Sequence, residues 1–232
     1  MTQSTLDTDI SKYMQPIWSL LTSEEQELVK KNTLLKEFKK NEIIYHENED
    51  ANYLMCLFKG KVKIYKEGIG GRNQIMRLVS PVQYFGYRAY FAHEPYVTEA
   101  AAFEASSILF IPMTIIEELI RRNSNLAMFF IRELATDLGE SDERTVNLTQ
   151  KHIRGRLADS LIFLLDKYGT EADGITLNIY LAREDLANLS NMTTSNAIRT
   201  LSSFCSEGIL IVDGRRIKVL DEEKLRKINK FG

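Results

Sequence analysis

The sequence predicts an α+β chain: an N-terminal antiparallel β-roll of jelly-roll type, a long dimerisation helix, and a C-terminal winged helix-turn-helix. Three observations carry this. Between Leu34 and Ile111 short apolar runs alternate with turn residues. From Ala127 to Leu148 residues of a narrow, largely apolar seam recur at alternating spacings of four and three. From Leu181 to Phe204 the stretch LAREDLANLSNMTTSNAIRTLSSF holds two helical patterns around a tight turn and leads into EGILIVDGRRIKVL, two β-rich runs around Asp213-Gly214.

Each element follows from its local pattern. Ser11 to Asn32 reads as helical, with Ile17, Leu20, Leu21 and Leu28 near helical spacing and Ser23 as an N-cap followed by acids. The β runs are Glu42–Tyr45, Tyr53–Phe58, Lys61–Tyr65, Gln74–Val79, Val97–Phe103 and Ser107–Ile111. Lysines and aliphatics alternate from Lys61 to Lys66, the period of a half-buried strand. Gly60, Gly68-Ile69-Gly70-Gly71 and Ser80-Pro81 punctuate the runs. A short helix over Thr114–Arg122 breaks near Asn123-Ser124-Asn125, and the long helix follows. Its seam is Ala127, Ile131, Leu134, Leu138, Ser141, Thr145 and Leu148, which a two-fold partner buries most easily. Ile153–Lys167 forms a further helix, Thr176–Tyr180 a short strand, and Asp221–Lys230 a closing helix with acids at its N-terminus.

Composition sets bounds. A chain of 232 residues, 44% apolar and 27% charged, suits two globular domains. The net charge is −2, so the molecule is no polycation. From His152 onward 12 basic residues face 11 acidic ones, against 18 and 21 before it, so local placement must carry any case for nucleic acid. Cys56 and Cys205 make neither a disulfide framework nor a metal spacing, which predicts a reduced, cytoplasmic protein. MTQSTLDTDISKY lacks the apolar core of a signal peptide, and no run is long enough for a membrane span, so no membrane partner is expected.

The Leu181–Phe204 stretch is suited to reading DNA. Leu186, Ala187 and Leu189 form the inner face of its first helix, and Asn191 suits a left-handed turn position. Met192 fills the space between the helices, Thr193 caps the second, and Ala197, Leu201 and Phe204 bury its inner face. That leaves Thr194, Ser195, Asn196, Ile198 and Arg199 outward. Short polar residues let the backbone approach the groove, Ile198 suits a thymine methyl, and Arg199 suits a guanine edge or a phosphate. Arg215 and Arg216 at the hairpin tip, with Lys218 near, suit phosphate contact.

With these pieces in hand, the chain resembles the Crp/Fnr superfamily of bacterial transcription regulators over nearly its whole length. Leu57-Phe58-Lys59-Gly60-Lys61-Val62-Lys63-Ile64 resembles the family's early strand-turn-strand, and Tyr84-Phe85-Gly86 the start of its ligand cassette. Arg183-Glu184-Asp185-Leu186-Ala187 and Thr193–Leu201 match its two DNA-binding helices. The resemblance implies a homodimer on a pseudo-palindromic double-stranded operator that touches or blocks RNA polymerase. It implies a cyclic-nucleotide-binding-like effector domain with an N-terminal helix over 1–122, a dimerisation helix and hinge over 123–151, and a DNA-binding domain over 152–232. The alternative is a cyclic-nucleotide-like signalling or ligand-binding module without a DNA function. An enzyme is not expected: no Gly-rich phosphate loop, metal-ligand spacing or nucleophile–base pair stands out.

The candidate effector pocket implied by the resemblance comprises Phe85, Gly86, Tyr87, Arg88, Val97, Thr98, Ser141 and Asp142. Cyclic-AMP-binding members follow Phe-Gly with a Glu for the ribose and hold the phosphate with Arg-Ser further on. Here these positions are Tyr87 and Val97-Thr98, and Ser141 and Asp142 stand for the adenine-contacting hydroxyls. Without the phosphate-pairing cation, tight cyclic AMP binding is not expected. Arg88, beside the cassette, is expected on the surface. No cofactor is predicted. The first 55 residues hold no cysteine, which removes the family's iron–sulfur cluster. His46, His93 and His152 are isolated, so haem is not expected either, and Cys56 in its apolar flanks reads as an inert thiol. A hinge near Gln150–Ile153 would let an effector change the spacing of the two readers, unless the protein is always competent and controlled by abundance.

Overall fold

The structure is a computed structural model that describes residues 10–68 and 70–231. Residues 1–9, most of the segment read for a signal peptide, and Ile69 of the glycine-rich turn lie outside the described residues. The chain divides into two compact units, one from residues up to Glu67 with Ile75–Leu138, the other from Gly68–Gln74 with the residues from Gly139 on. The resemblance implies divisions at 122/123 and 151/152. The compact units part inside the long helix.

The first unit begins with α1 (Gln15–Trp18) and α2 (Ser23–Asn32). Residues 10–13 are also helical, so the expected continuous helix is broken into pieces. Thr22, not Ser23, caps α2. Its hydroxyl accepts from the Glu25 amide at 3.3 Å while the Glu25 carboxylate accepts from the Thr22 amide at 2.9 Å. A Ser23 box would need Gln26, whose amide instead donates to the Trp18 and Leu21 carbonyls.

Eight strands follow: β1 (Leu34–Phe38), β2 (Ile43–Tyr45), β3 (Tyr53–Lys59), β4 (Val62–Glu67), β5 (Asn73–Val79), β6 (Tyr84–Phe85), β7 (Glu99–Ala102) and β8 (Ser106–Pro112). They form two four-stranded sheets, β1-β8-β3-β6 and β2-β7-β4-β5, with α3 (Tyr87–Phe91) after β6. The pairs β1–β8, β3–β8, β3–β6, β2–β7 and β4–β7 are antiparallel, as in the predicted jelly-roll arrangement. The sequence reading did not separate β1 or the two-residue β6.

Strands β3 and β8 are buried on both faces, and period two sorts their side chains. Met55, Leu57, Ile108 and Phe110 join Val62, Ile64, Phe85 and Ala100 in one core. Leu54, Cys56, Leu109 and Ile111 face a second core with Ile17, Val29 and Tyr84. That second core takes in Ile116 and Leu119 of α4 (Met113–Arg122) and Leu126 and Phe130 of α5 (Ser124–Gln150). Asn123, at the break between them, accepts from the Leu126 amide and donates to the Leu20 carbonyl. Gly60 turns β3 into β4 at φ 95°, and a Cβ there would lie 2.6 Å from the Ala105 carbonyl oxygen.

The second unit contains α6 (Ile153–Tyr168), α7 (Arg183–Leu189), α8 (Thr194–Ser206), β9 (Leu210–Asp213), β10 (Arg216–Val219) and α9 (Glu222–Phe231). Leu157, Leu161 and Leu164 of α6, Leu186 of α7, Leu201 and Phe204 of α8 and Leu225 of α9 are buried. The strand expected over Thr176–Tyr180 does not form as such. Thr176 and Leu177 make only isolated bridges, because the Asp173 carboxylate captures the Ile175 and Thr176 amides and the Thr176 hydroxyl.

Candidate nucleic-acid interface and effector cassette

The reader is two helices set by a turn. Asn191 sits at φ 49°, the left-handed position its side chain tolerates, and the Met192 amide donates to the Ala187 carbonyl at 3.0 Å. Met192 is buried, and the buried Ser190 hydroxyl is satisfied by Ser160 and the Leu186 carbonyl. Thr193 caps α8 by accepting from the Asn196 amide at 3.3 Å. Ala197, Leu201 and Phe204 are buried, which turns Thr194, Ser195, Ile198 and Arg199 to solvent, with Asn196 half-buried. Ile198 is 46% exposed, an unusual position for an aliphatic side chain on an otherwise well-packed helix. The Arg199 guanidinium donates to Asn196 Oδ1 at 2.8 Å, which steadies it along the outer face.

Strands β9 and β10 form the wing. Asp213 pairs with Arg216, so the two loop residues are Gly214, at φ 55°, and Arg215, one position beyond the Asp213-Gly214 turn read from the sequence. Arg215 and Arg216 are both exposed, and the Arg216 guanidinium lies 5.4 Å from the centre of the Tyr180 ring. Arg183, the first residue of α7, donates to the Gly214 carbonyl at 2.7 Å. It ties the wing turn to the helix pair, a link the sequence reading missed.

The cassette residues of the first unit gather at the β6–α3 corner. Phe85 and Tyr87 are buried, and Gly86 takes φ 89° as the residue before α3, where a Cβ would strike the Met55 side chain. Arg88 is on the surface, as expected, and pairs with Glu94 at 2.7 Å. Thr98 Oγ1 lies 3.4 Å from the Tyr45 hydroxyl, Tyr45 stacks on Tyr96 at 3.8 Å, and Val97 is exposed. Ser141 and Asp142 are exposed on α5 and belong to the other compact unit.

Tyr87 has partners that the sequence did not announce. Its hydroxyl donates to Asp137 at 3.5 Å, and Asp137 pairs with Arg77 at 2.8 Å. Burial, and then the Asp137 carboxylate, raise the Tyr87 pKa well above the usual phenol range, so the hydroxyl stays a donor. Burial likewise pushes the Cys56 thiol up to about 12, which fits the inert cysteine expected there.

The seam residues of α5 differ in exposure. Ile131 is 55% and Leu138 63% exposed, and Ser141 and Thr145 are exposed too. Ala127 and Leu148 are half-buried. Leu134 is also half-buried and leans on its own unit's core, while the 45%-exposed Met128 adds to the outward stripe. Among the described residues no helix is long and apolar enough to cross a membrane.

An outward-facing helix of a helix-turn-helix, a wing, and a two-sheet roll of the cyclic-nucleotide-binding type define a DNA-binding transcription regulator, not an enzyme. The family model for the cyclic nucleotide-binding domain matches residues 35–123, and that for the Crp-like helix-turn-helix domain matches residues 155–228. The chain belongs to the Crp/Fnr superfamily of transcription regulators. It is 26% identical over 196 residues to an anaerobic regulatory protein of Bacillus subtilis, covering 84% of this chain and 82% of that one. It is 22% identical to a CRP-like cAMP-activated global transcriptional regulator of Mycobacterium tuberculosis, covering 82% and 86%. Among solved structures, FixK2 from Bradyrhizobium japonicum superposes with a TM-score of 0.76 at 23% identity, covering 85% of this chain and 97% of that one. The match to a Crp-like helix-turn-helix domain sets aside the alternative of a ligand module without DNA function.

Proposed function

We propose that the protein acts in the cytoplasm as a homodimer that reads a pseudo-palindromic operator and works through RNA polymerase, with an effector domain that does not use cyclic AMP. The single observation that carries the reading is the pairing of an outward α8 face with an exposed apolar stripe on α5, Met128, Ile131 and Leu138. Burying the exposed half of such side chains is worth roughly 1 kcal/mol each, and a two-fold partner buries each of them in both copies. Thr193, Thr194, Ser195, Asn196, Ile198 and Arg199 then face base edges and nearby phosphates, while Arg215 and Arg216 hold the backbone. The polymerase contact rests on the family resemblance.

The donor set supports an effector domain without cyclic AMP. Where the family's ribose-binding Glu is expected stands Tyr87, engaged with Asp137. Where the phosphate-binding Arg-Ser is expected stand Val97 and Thr98, and Thr98 is engaged with Tyr45. The cations near the cassette, Arg77 and Arg88, already pair with Asp137 and Glu94. A cyclic phosphate placed there would be buried without a counter-charge.

Selection from a random duplex pool tests both parts. The expected product is a two-fold symmetric site with half-site centres about 10 base pairs apart, bound equally with and without cyclic AMP. An asymmetric site, or binding that appears only with the nucleotide, refutes the corresponding part. On the selected duplex, replacing Arg215 and Arg216 by alanine is expected to lower affinity for all sequences and cut the salt slope by about 1.8 per wing, 0.9 for each lost phosphate contact. An unchanged slope removes both residues from the interface.

A further inference from the structure

We infer that α5 bends at Gly139, and that the body which reads DNA begins in the middle of the long helix rather than at the turn between α5 and α6. Three independent features of the helix lead there.

The first is that the α5–α6 turn is stapled. Lys151 pairs with Asp159 of α6 at 2.8 Å and also donates to Asn229 of α9. Asn147 donates to the same Asp159 carboxylate at 3.4 Å, and Arg156 donates to the Leu148 carbonyl at 3.4 Å. One turn earlier, Arg144 donates to the Leu189 carbonyl at the end of α7, and burial lowers its pKa. These bonds join the last turns of α5 to α6, α7 and α9.

The second is that the first half of α5 is held just as firmly. Leu126 and Phe130 are buried in the core of the first unit, and Asp137 is its last polar anchor, through Arg77 and Tyr87. Between the anchors, the six residues 138–143 are all exposed, so no face of the helix there rests on its own chain.

The third is the sequence at that place. Gly139 lies beside the seam, and a Cβ built on it meets nothing within 4 Å, so no close approach requires a glycine. Glycine in a helix interior weakens the ladder, and helices kink at Gly and Ser. Ser141 lies two residues on. The division into compact units falls between Leu138 and Gly139.

Bending a helix sharply opens the bonds from the amides of the next four residues to the carbonyls of 136–139. Hydrogen exchange by mass spectrometry on the full-length protein therefore tests the inference, with Gly139→Ala and Lys151→Ala as variants. In the unsubstituted protein the fastest exchange between residues 124 and 168 is expected over 140–143. Gly139→Ala is expected to slow it there about fivefold, the population change set by alanine's better helix propensity. Lys151→Ala is expected to speed exchange over 150–156 and leave 140–143 as it was. Fastest exchange at 150–153 in the unsubstituted protein, or no slowing in Gly139→Ala, overturns the proposal.

Discussion

Replacing Ile131 and Leu138 together by glutamate converts the protein to a monomer and weakens operator binding by roughly 100-fold or more, because the two half-sites then bind without linkage. Both side chains are mostly exposed in the single chain, at 55% and 63%, so neither substitution opens a cavity in its own core. In the dimer the same positions place four carboxylates against each other along the seam, and like charges taken from water there cost more than the lost apolar contact. Leu134 is the wrong residue for this test. It leans on its own core, and its loss would destabilise the unit itself. Sedimentation separates monomer from dimer, and the thermal midpoint reports whether the fold survives. A double variant that still sediments as a dimer sinks the seam.

Arg199→Ala is expected to cost about 1–3 kcal/mol on the selected operator, a 10- to 100-fold loss, with little change on unrelated duplex. The guanidinium sits one turn into α8, steadied by Asn196 and clear of the buried Ala197–Leu201–Phe204 face, so its removal touches no packing. Lysine should not rescue it, since a point charge cannot make the forked contact to a guanine edge. Base-substituted operators give the decisive reading. The variant should become indifferent to one base pair in each half-site. A loss spread evenly over all sequences would instead make Arg199 a phosphate contact, and Ile198 with Asn196 would carry the specificity.

Local pattern made much of this molecule legible. The alternation of Lys61–Lys66 is strand β4, with Val62 and Ile64 inward. The Asn191 turn and the Thr193 cap stand where the sequence put them. The errors were of local competition. Thr22 displaced Ser23 because Glu25 was in reach of it, and the Asp173 carboxylate took the Thr176 amide, the first that a strand over Thr176–Tyr180 would have paired. Neither outcome follows from periodicity, since each depends on which of two nearby acceptors has the better geometry.

What the amino-acid sequence determined alone is the order of the elements, the helix-turn-helix with its outward residues, and the long helix with its seam. Hydrophobic period, turn residues and caps act over a few positions, and they survive in one dimension. Only the tertiary structure decided which charges meet. Arg77 and Asp137, 60 positions apart, pair beside Tyr87, and Arg183 reaches across to the wing turn at Gly214. It also decided that Leu134 leans on its own core and that the α5–α6 turn is stapled while Gly139 is bare. Ion pairs and side-chain bonds depend on distances of a few ångströms between elements remote in the chain, and no periodicity records them.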